Sequence, residues 1–301
     1  MHYRRLHNAS LGAAAAVAAL VFFWGFAGQA GAEEHGAVCN RAAFKPVIDV
    51  GHTAQVPGAM SARGVGEYDF NLRLASLIKE KMIERGFTNT VLLVTEGRKY
   101  RSLNDRVARA NKIKADLFLS IHHDAVPDSF LQKWDFGGKQ RGYSDRFKGH
   151  SIFVSSANAQ FRTSIVFAKM LGREMKERGL QYTHHYTDKV MGRWRRELID
   201  EDTGVYHHDK LIVLKDTHMP AVLLEAGSII NRDEELQMAS PERRAQISAA
   251  VVDAMDRYCA ARPGTHEPEQ ASGAKPSAKA STAHARFPPA ANAAAASGSQ
   301  H

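Results

Sequence analysis

Short apolar runs alternate with amphipathic helical segments through the middle of this 301-residue chain, and this alternation restricts the fold more than any other feature. Buried strands are predicted at residues 44–50, 90–95, 116–121, 151–155, 211–214 and 221–224. Helices with one apolar face are predicted at residues 67–85, 102–114, 164–178 and 241–258. Strands that alternate with helices are typical of parallel sheets. The sequence therefore predicts an α/β fold, a single layered domain whose mostly parallel, twisted sheet is flanked by helices on both faces.

The beginning of the chain departs from this pattern. Arg4 and Arg5 precede an apolar stretch at residues 11–26, and small residues follow it at 30–32. This order of basic, apolar and small residues predicts a secretory signal peptide at residues 1–32. An uncleaved membrane anchor is the alternative, because the apolar stretch also permits one. Cleavage and export would place the protein in the periplasm or cell envelope.

The end of the chain has the composition of a disordered tail. Residues 262–301 are rich in alanine, proline, serine and glycine and almost lack large apolar side chains, so they cannot bury a core. One folded domain is thus predicted at residues 33–261. The formal net charge is +8; the signal and the tail contribute two positive charges each, so about four remain on the domain. This mild, diffuse charge does not favour nucleic-acid binding.

The chain has two cysteines, Cys39 and Cys259, one near each end of the predicted domain. Export would place them in an oxidising compartment, where a disulfide persists. We therefore expect an intramolecular Cys39–Cys259 disulfide that joins the two ends of the domain. The alternative is a catalytic or metal-binding thiol, but neither cysteine has neighbours that resemble ligands.

Residues that can bind a metal or move a proton lie at the ends of predicted strands. His52 follows the first strand, His122 follows the strand at 116–121, and Glu225 follows the last one. Glu67 begins the first helix, and the loop before it can return it to the same edge of the sheet. The carboxyl ends of parallel strands share one crevice, where ligands bind. Two histidines and a carboxylate that leave a fourth position open form a catalytic zinc site, and they suit zinc better than calcium or magnesium.

Each of these residues also has a simpler interpretation. The chain has 15 histidines, so a single histidine at a strand end is often incidental. Glu67 alone could be a carboxylate that the helix dipole favours at a helix start. Glu225 is harder to explain in this way, because a charge directly after three apolar strand residues is costly unless it is paired or functional. The prediction of a site therefore depends on the combination.

Three segments resemble those of zinc-dependent N-acetylmuramoyl-L-alanine amidases, a family of bacterial cell-wall enzymes. The segments read VIDVGHTAQVPGAMSARGVGEYDFN, SLNDRVARANKIKADLFLSIHHDA and MPAVLLEAGSIINRDEE. Their order and spacing match over about residues 44–258. The resemblance implies metal ligands at His52, Glu67 and His122, with Zn²⁺ as the cofactor. It implies that the catalytic glutamate of the family is Glu225.

The resemblance also implies a substrate and a reaction. The substrate would be peptidoglycan, and the bond cleaved would be the amide between N-acetylmuramic acid and L-alanine, in wall remodelling, daughter-cell separation or turnover. One alternative is another zinc peptidase that acts on peptidoglycan stem peptides. A second alternative is a non-catalytic wall-binding protein of the same fold. The sequence does not identify a protein activator.

The chain differs from the family's usual pattern at several positions. The segment VGHTA at residues 50–54 stands where the family usually has Pro-Gly-His-Gly-Gly. Tyr68 replaces a usual lysine and Ser228 a usual phenylalanine. None of these changes removes a ligand, so they concern the shape of the substrate groove. Two segments, 127–149 and 183–203, are longer than in compact members of the family.

Overall fold

The structure is a computed structural model that describes residues 39–262. The predicted signal peptide at 1–32 lies outside the described residues, and so does the predicted tail except for Arg262. The predicted domain at 33–261 is described from Cys39 onward. None of the helices in residues 39–262 is both long and apolar enough to cross a membrane.

A seven-stranded sheet forms the centre of the described region, and a two-stranded hairpin lies outside it. The strands are β1 (Pro46–Val50), β2 (Val91–Leu93), β3 (Leu117–Asp124), β4 (Gln132–Phe136), β5 (Lys139–Tyr143), β6 (Ser151–Val154), β7 (Leu198–Asp200), β8 (Val205–His207) and β9 (Ala221–Ser228). The order in the sheet is β2-β1-β3-β9-β6-β8-β7, and β4 pairs with β5. Strands β2, β1, β3 and β9 are parallel, whereas β6 runs antiparallel to β9 and β7 antiparallel to β8. The predicted, mostly parallel sheet is thus confirmed.

Helices cover both faces of this sheet. The helices are α1 (Glu67–Glu84), α2 (Lys99–Ile113), α3 (Phe161–Glu177), α4 (Ile212–Lys215), α5 (Arg232–Ala239) and α6 (Pro241–Ala260). Neighbouring strand residues alternate between two cores: Leu119 packs with the helices α1, α3 and α6, whereas Phe118 packs on the side of α2 and α4. The alternation follows from the two-residue period of a strand. It explains why the central strands read as continuous apolar runs.

The predicted strand at 211–214 is wrong. Residues Ile212–Lys215 form the short helix α4, whose Val213 and Leu214 are buried against one face of the sheet. An apolar run of four residues does not distinguish a buried strand from one buried turn of helix. Helix α5 was not predicted either; it begins after Asn231, whose side chain accepts hydrogen bonds from the Asp233 and Glu234 amides.

The two long segments carry their own local structure. The hairpin β4–β5 occupies much of 127–149, and residues 183–203 contain two 3₁₀ turns and strand β7. The Cys39–Cys259 disulfide is present, with the two Cα atoms 5.2 Å apart. It joins the first described residue to the last turn of α6, as the two-cysteine pattern predicts.

Candidate metal centre

His52 directly follows the β1–β3 pairing at the carboxyl end of the sheet. The Gly51 amide donates to the Ile121 carbonyl at 3.0 Å, which continues that pairing. A Cβ on Gly51 would lie 2.5 Å from Nε2 of His122, so only glycine lets these two neighbouring segments approach this closely. His52 has a φ of 66°, an unusual backbone conformation for a residue other than glycine.

Buried polar side chains beneath the site hold the His52 backbone in this conformation. Arg106 of α2 donates a hydrogen bond to the His52 carbonyl. The same guanidinium donates from Nε to Oγ1 of Thr95 at 2.9 Å and lies 3.3 Å from Oδ1 of Asp49. Ser120 donates to the other oxygen of Asp49 at 2.6 Å. Burial raises the pKa of Asp49, although the Arg106 charge acts in the opposite direction.

Glu67 reaches the site from the first position of α1. Its amide donates to the Ala59 carbonyl at 2.9 Å, so the preceding loop folds back against the helix start. Its side chain is buried, and Oε1 accepts a hydrogen bond from Nδ2 of Asn71 at 3.2 Å. Gly58 lies against the carboxylate, since a Cβ there would be 2.6 Å from the His52 ring and closer still to Oε2 of Glu67.

His52, Glu67 and His122 meet in a single group. Nε2 of His52 lies 2.8 Å from Oε2 of Glu67, and Nδ1 of His122 lies 2.9 Å from Oε1. One ligand atom from each residue can be chosen so that all lie within 4.8 Å of one another, close enough to hold one metal ion. His123 faces the other way, with Nδ1 2.7 Å from Oδ1 of Asn71.

The protonation of this group suits a cation. Burial acts to raise the pKa of Glu67, but hydrogen bonds from His122 and His52 outweigh it and hold the pKa well below its usual range. Burial lowers the pKa of His122. An ionised carboxylate beside a neutral imidazole is the form in which these side chains bind metals. Two histidines and one carboxylate therefore fit a zinc ion with an open coordination position.

Glu225 lies next to His122 in the sheet. The two residues are register partners in the parallel pair β3–β9. Burial, together with the charges of Asp124 and Glu67, raises the pKa of Glu225 well above its usual range. Its Oε2 is buried and has no hydrogen-bond partner in the described part of the chain. A carboxyl group of this kind can accept a proton near neutral pH.

Asp124, at the end of β3, is a second buried carboxyl group in this region. Tyr186, from the long segment at 183–203, donates a hydrogen bond to its Oδ1 at 2.8 Å. Burial raises the pKa of Asp124 to about 7. Tyr186 thus connects the long segment to the edge of the sheet that carries His122.

Five residues around the candidate ligands were not predicted from the sequence: Asp49, Asn71, Arg106, Asp124 and Tyr186. Asp49 had a detectable signal, because a carboxylate within an otherwise apolar strand requires a buried partner. The partner itself is on α2, more than fifty residues away, and nothing in the local sequence indicates it.

The fold and this group of side chains define an α/β protein with a candidate metal centre at the carboxyl edge of its sheet. The sequence profile of the N-acetylmuramoyl-L-alanine amidase family matches residues 47–257. The chain belongs to this family.

Individual relatives are distant in sequence. The uncharacterized protein YqiI of Bacillus subtilis is 24% identical over 213 residues, which cover 70% of this chain and 82% of YqiI. The endolysin of Bacillus phage SPP1 is 29% identical over 187 residues, or 62% of this chain and 55% of the endolysin. The chain thus spans little more than half of the endolysin.

The fold resembles that of solved amidases. The N-acetylmuramyl-L-alanine amidase Ami1 of Mycobacterium smegmatis superposes with a TM-score of 0.56 at 18% identity. The superposition covers 74% of this chain and all of the Ami1 chain. At this identity the likeness concerns the fold.

Proposed function

We propose that this protein is a zinc-dependent amidase that cleaves the amide bond between N-acetylmuramic acid and L-alanine in peptidoglycan. One observation carries the proposal: His52, Glu67 and His122 form a group able to hold a metal, beside Glu225, in a chain of the amidase family. His52, Glu67 and His122 would hold the zinc ion.

Each residue has a distinct part in the proposed reaction. A bound zinc ion supplies Lewis acidity, which lowers the pKa of water and polarises a carbonyl group. Glu225 takes a proton from the attacking water and passes it to the nitrogen of L-alanine as that amine leaves. The raised pKa of Glu225 supports both steps, because the group holds a proton between them. Arg106 and Asn71 orient His52 and Glu67 through the hydrogen bonds described above.

The proposal includes a location. The predicted signal peptide at residues 1–32 and the Cys39–Cys259 disulfide support export to the periplasm or cell envelope. Peptidoglycan lies in that compartment, so an exported amidase meets its substrate there. Wall remodelling, daughter-cell separation and turnover all use this reaction.

Product analysis tests the bond that is cleaved. The purified protein is incubated with peptidoglycan, and the soluble products are identified by mass spectrometry. An amidase releases intact stem peptides that begin with L-alanine and leaves glycan without peptides. A zinc peptidase of another specificity releases shortened stem peptides or single amino acids. A non-catalytic wall-binding protein sediments with the wall and releases nothing.

A further inference from the structure

A cleft borders the metal-ligand group on the side of the β4–β5 hairpin. It has a volume of about 400 Å³, within the range of small-ligand sites. Gly58 and Ala59 form the wall nearest the ligands: Gly58 packs on the His52 ring, and the Ala59 amide donates to Oε2 of Glu67 at 3.2 Å. Arg141 and Lys133 line the cleft from the hairpin. The cleft therefore shares its Gly58–Ala59 wall with the metal-ligand group and carries two cationic side chains.

Arg141 is placed as a binding group that lacks a partner. Its guanidinium packs against Gly64, where a Cβ would lie 2.5 Å from Nη1. Its Nε is buried without an acceptor, and within residues 39–262 its side chain forms no ion pair or hydrogen bond. Arg141 is half-buried, and a buried guanidinium nitrogen normally has an acceptor, so its unpaired Nε beside a cleft indicates a place for an external anion. Asp128 also lines the cleft, but it is exposed and forms no ion pair with Arg141.

The hairpin that carries Arg141 is fixed to the core of the protein. Nε1 of Trp134 donates to the Ala62 carbonyl at 2.9 Å, and Trp134 is in register with Arg141 across the hairpin. The guanidinium of Arg63 covers the Trp134 ring and is itself held by Glu235 at 2.7 Å. Arg141 therefore lies on a strand that is fixed to the core, so less conformational entropy is lost when it binds a charged group.

The positive charge of the cleft favours the peptide half of the proposed substrate over the glycan half. On the glycan side of the scissile bond the sugars are uncharged, because the lactyl carboxyl group is consumed in the amide. On the peptide side, the stem carries free carboxylates, the first on the second residue, a γ-linked D-glutamate. A planar guanidinium binds a carboxylate through two parallel hydrogen bonds.

We propose that this cleft is the stem-peptide subsite and that Arg141 binds the α-carboxylate of the second stem residue. The inference rests on the proposed amidase function and adds a specificity-determining residue to it. The protein would then distinguish stems with a free α-carboxyl group at this residue from stems in which it is a carboxamide.

Two soluble substrates test this specificity: N-acetylmuramoyl-L-alanyl-γ-D-glutamyl-L-lysine and the same compound with the D-glutamate α-carboxyl group as its amide. The wild type should cleave the acid with a kcat/KM about tenfold or more above that for the amide. Arg141→Gln should remove this preference, mainly through a higher KM for the acid, and should leave the amide unaffected. Lys139→Gln is the matched control, because it removes one charge from the same hairpin outside the cleft.

Equal cleavage of both substrates by the wild type, or an acid preference that survives Arg141→Gln, would overturn the inference while leaving the amidase function intact. Binding of the free peptides L-alanyl-γ-D-glutamyl-L-lysine and its amide, measured by calorimetry, separates the two claims. If neither substrate is cleaved, the function fails, and acid-selective, Arg141-dependent peptide binding would still support the subsite. Peptide binding that is absent or indifferent to Arg141 would overturn it.

Discussion

Some residues of the candidate site are placed to bind a metal, and others hold those residues in position. The two groups differ in what they contact. His52, Glu67 and His122 face one another, whereas Arg106 and Asn71 reach them only through hydrogen bonds. Supporting residues of this type fix the orientation of metal ligands and typically change affinity by about 10- to 100-fold when mutated.

Glu225→Gln separates the proton-transfer role from a ligand role. The amide keeps the shape of the side chain but cannot take a proton, so zinc content should stay near that of the wild type. The turnover of peptidoglycan should fall by roughly 10²-fold or more, the usual effect of a positioned general base. Zinc analysis and turnover are measured on the same preparation. Loss of zinc together with activity would assign Glu225 as a ligand, and near-normal turnover with zinc present would exclude it as the base.

His150 should make the protein acid-sensitive. It is buried at the entrance to β6, and burial lowers its pKa to about 4. Between about pH 6.5 and 4 the unfolded chain binds a proton that the native state does not, so the free energy of unfolding falls as the pH falls. His150→Leu should make this dependence shallower by at most about 1.4 kcal/mol per pH unit.

Urea denaturation at several pH values measures this slope. The exposed His218 provides the control, because His218→Leu removes a histidine whose surroundings are already solvent. The same slope in wild type and His150→Leu would show that His150 is protonated equally in the native and unfolded states.

Among the secondary-structure elements and loops, the loop between β1 and α1 determines how closely His52 and Glu67, two of the proposed ligands, approach each other. Gly58 in this loop has a φ of 79° and no room for a Cβ beside His52 and Glu67. Gly58→Ala should therefore displace two ligands and weaken zinc binding by an order of magnitude or more, although no ligand is changed.

Gly179 provides a matched control for this substitution. It has a similar φ of 74°, but an added Cβ would meet no atom within 4 Å. Gly179→Ala should lower stability through backbone strain and leave zinc affinity unchanged. Competition with a chromogenic chelator measures the affinity in both variants. Equal affinities for Gly58→Ala and the wild type would show that the loop does not set the ligand geometry.

The disulfide connects the first described residue to helix α6. Cys39 and Cys259 are 220 residues apart, so the chain-entropy model gives an upper value of about 5 kcal/mol for the stabilisation. Cys39→Ser combined with Cys259→Ser should lower the free energy of unfolding but preserve zinc content, because the proposed metal ligands lie at the other end of β1. Urea denaturation with and without reductant measures the difference, and thiol titration of denatured wild type should find no free thiol. Two free thiols in the exported protein would contradict the disulfide.

Across the described fold, long periodic helices and apolar strand runs could be predicted, including the short strands β2 and β6, whereas β7 and β8 could not. The helices α1, α3 and α6 have apolar faces over 17 to 20 residues, and the central strands are fully buried, so both left clear patterns. The strands β7 and β8 have three residues each, and their pairing depends on contacts with β6 that no local pattern contains. The antiparallel direction of β6 is likewise a tertiary property.

The candidate site could be predicted only in part, because some of its residues follow a local sequence pattern and others depend on tertiary packing. His52, His122 and Glu225 could be predicted because they follow apolar strand runs in the sequence and topology brings such residues to one edge, although β3 and β9 continue past His122 and Glu225. Arg141 could not be predicted, because its position depends on a hairpin within the long segment at 127–149 and on the packing of that hairpin against Gly64. Polar residues whose partners are distant in the sequence produce no periodic pattern from which they could be predicted.

In the proposed function, one zinc ion held by His52, Glu67 and His122 is required for cleavage of the amide bond. The measurement removes metal from the purified protein with a chelator, restores zinc stepwise, and follows the release of stem peptides with L-alanine amino termini. Release should stop without metal and return in proportion to zinc, up to about one ion per chain. His122→Ala should neither bind zinc tightly nor recover, whereas the exposed control His218→Ala should do both. Undiminished release by the metal-free protein, or full recovery by His122→Ala, would contradict the proposed zinc-dependent reaction.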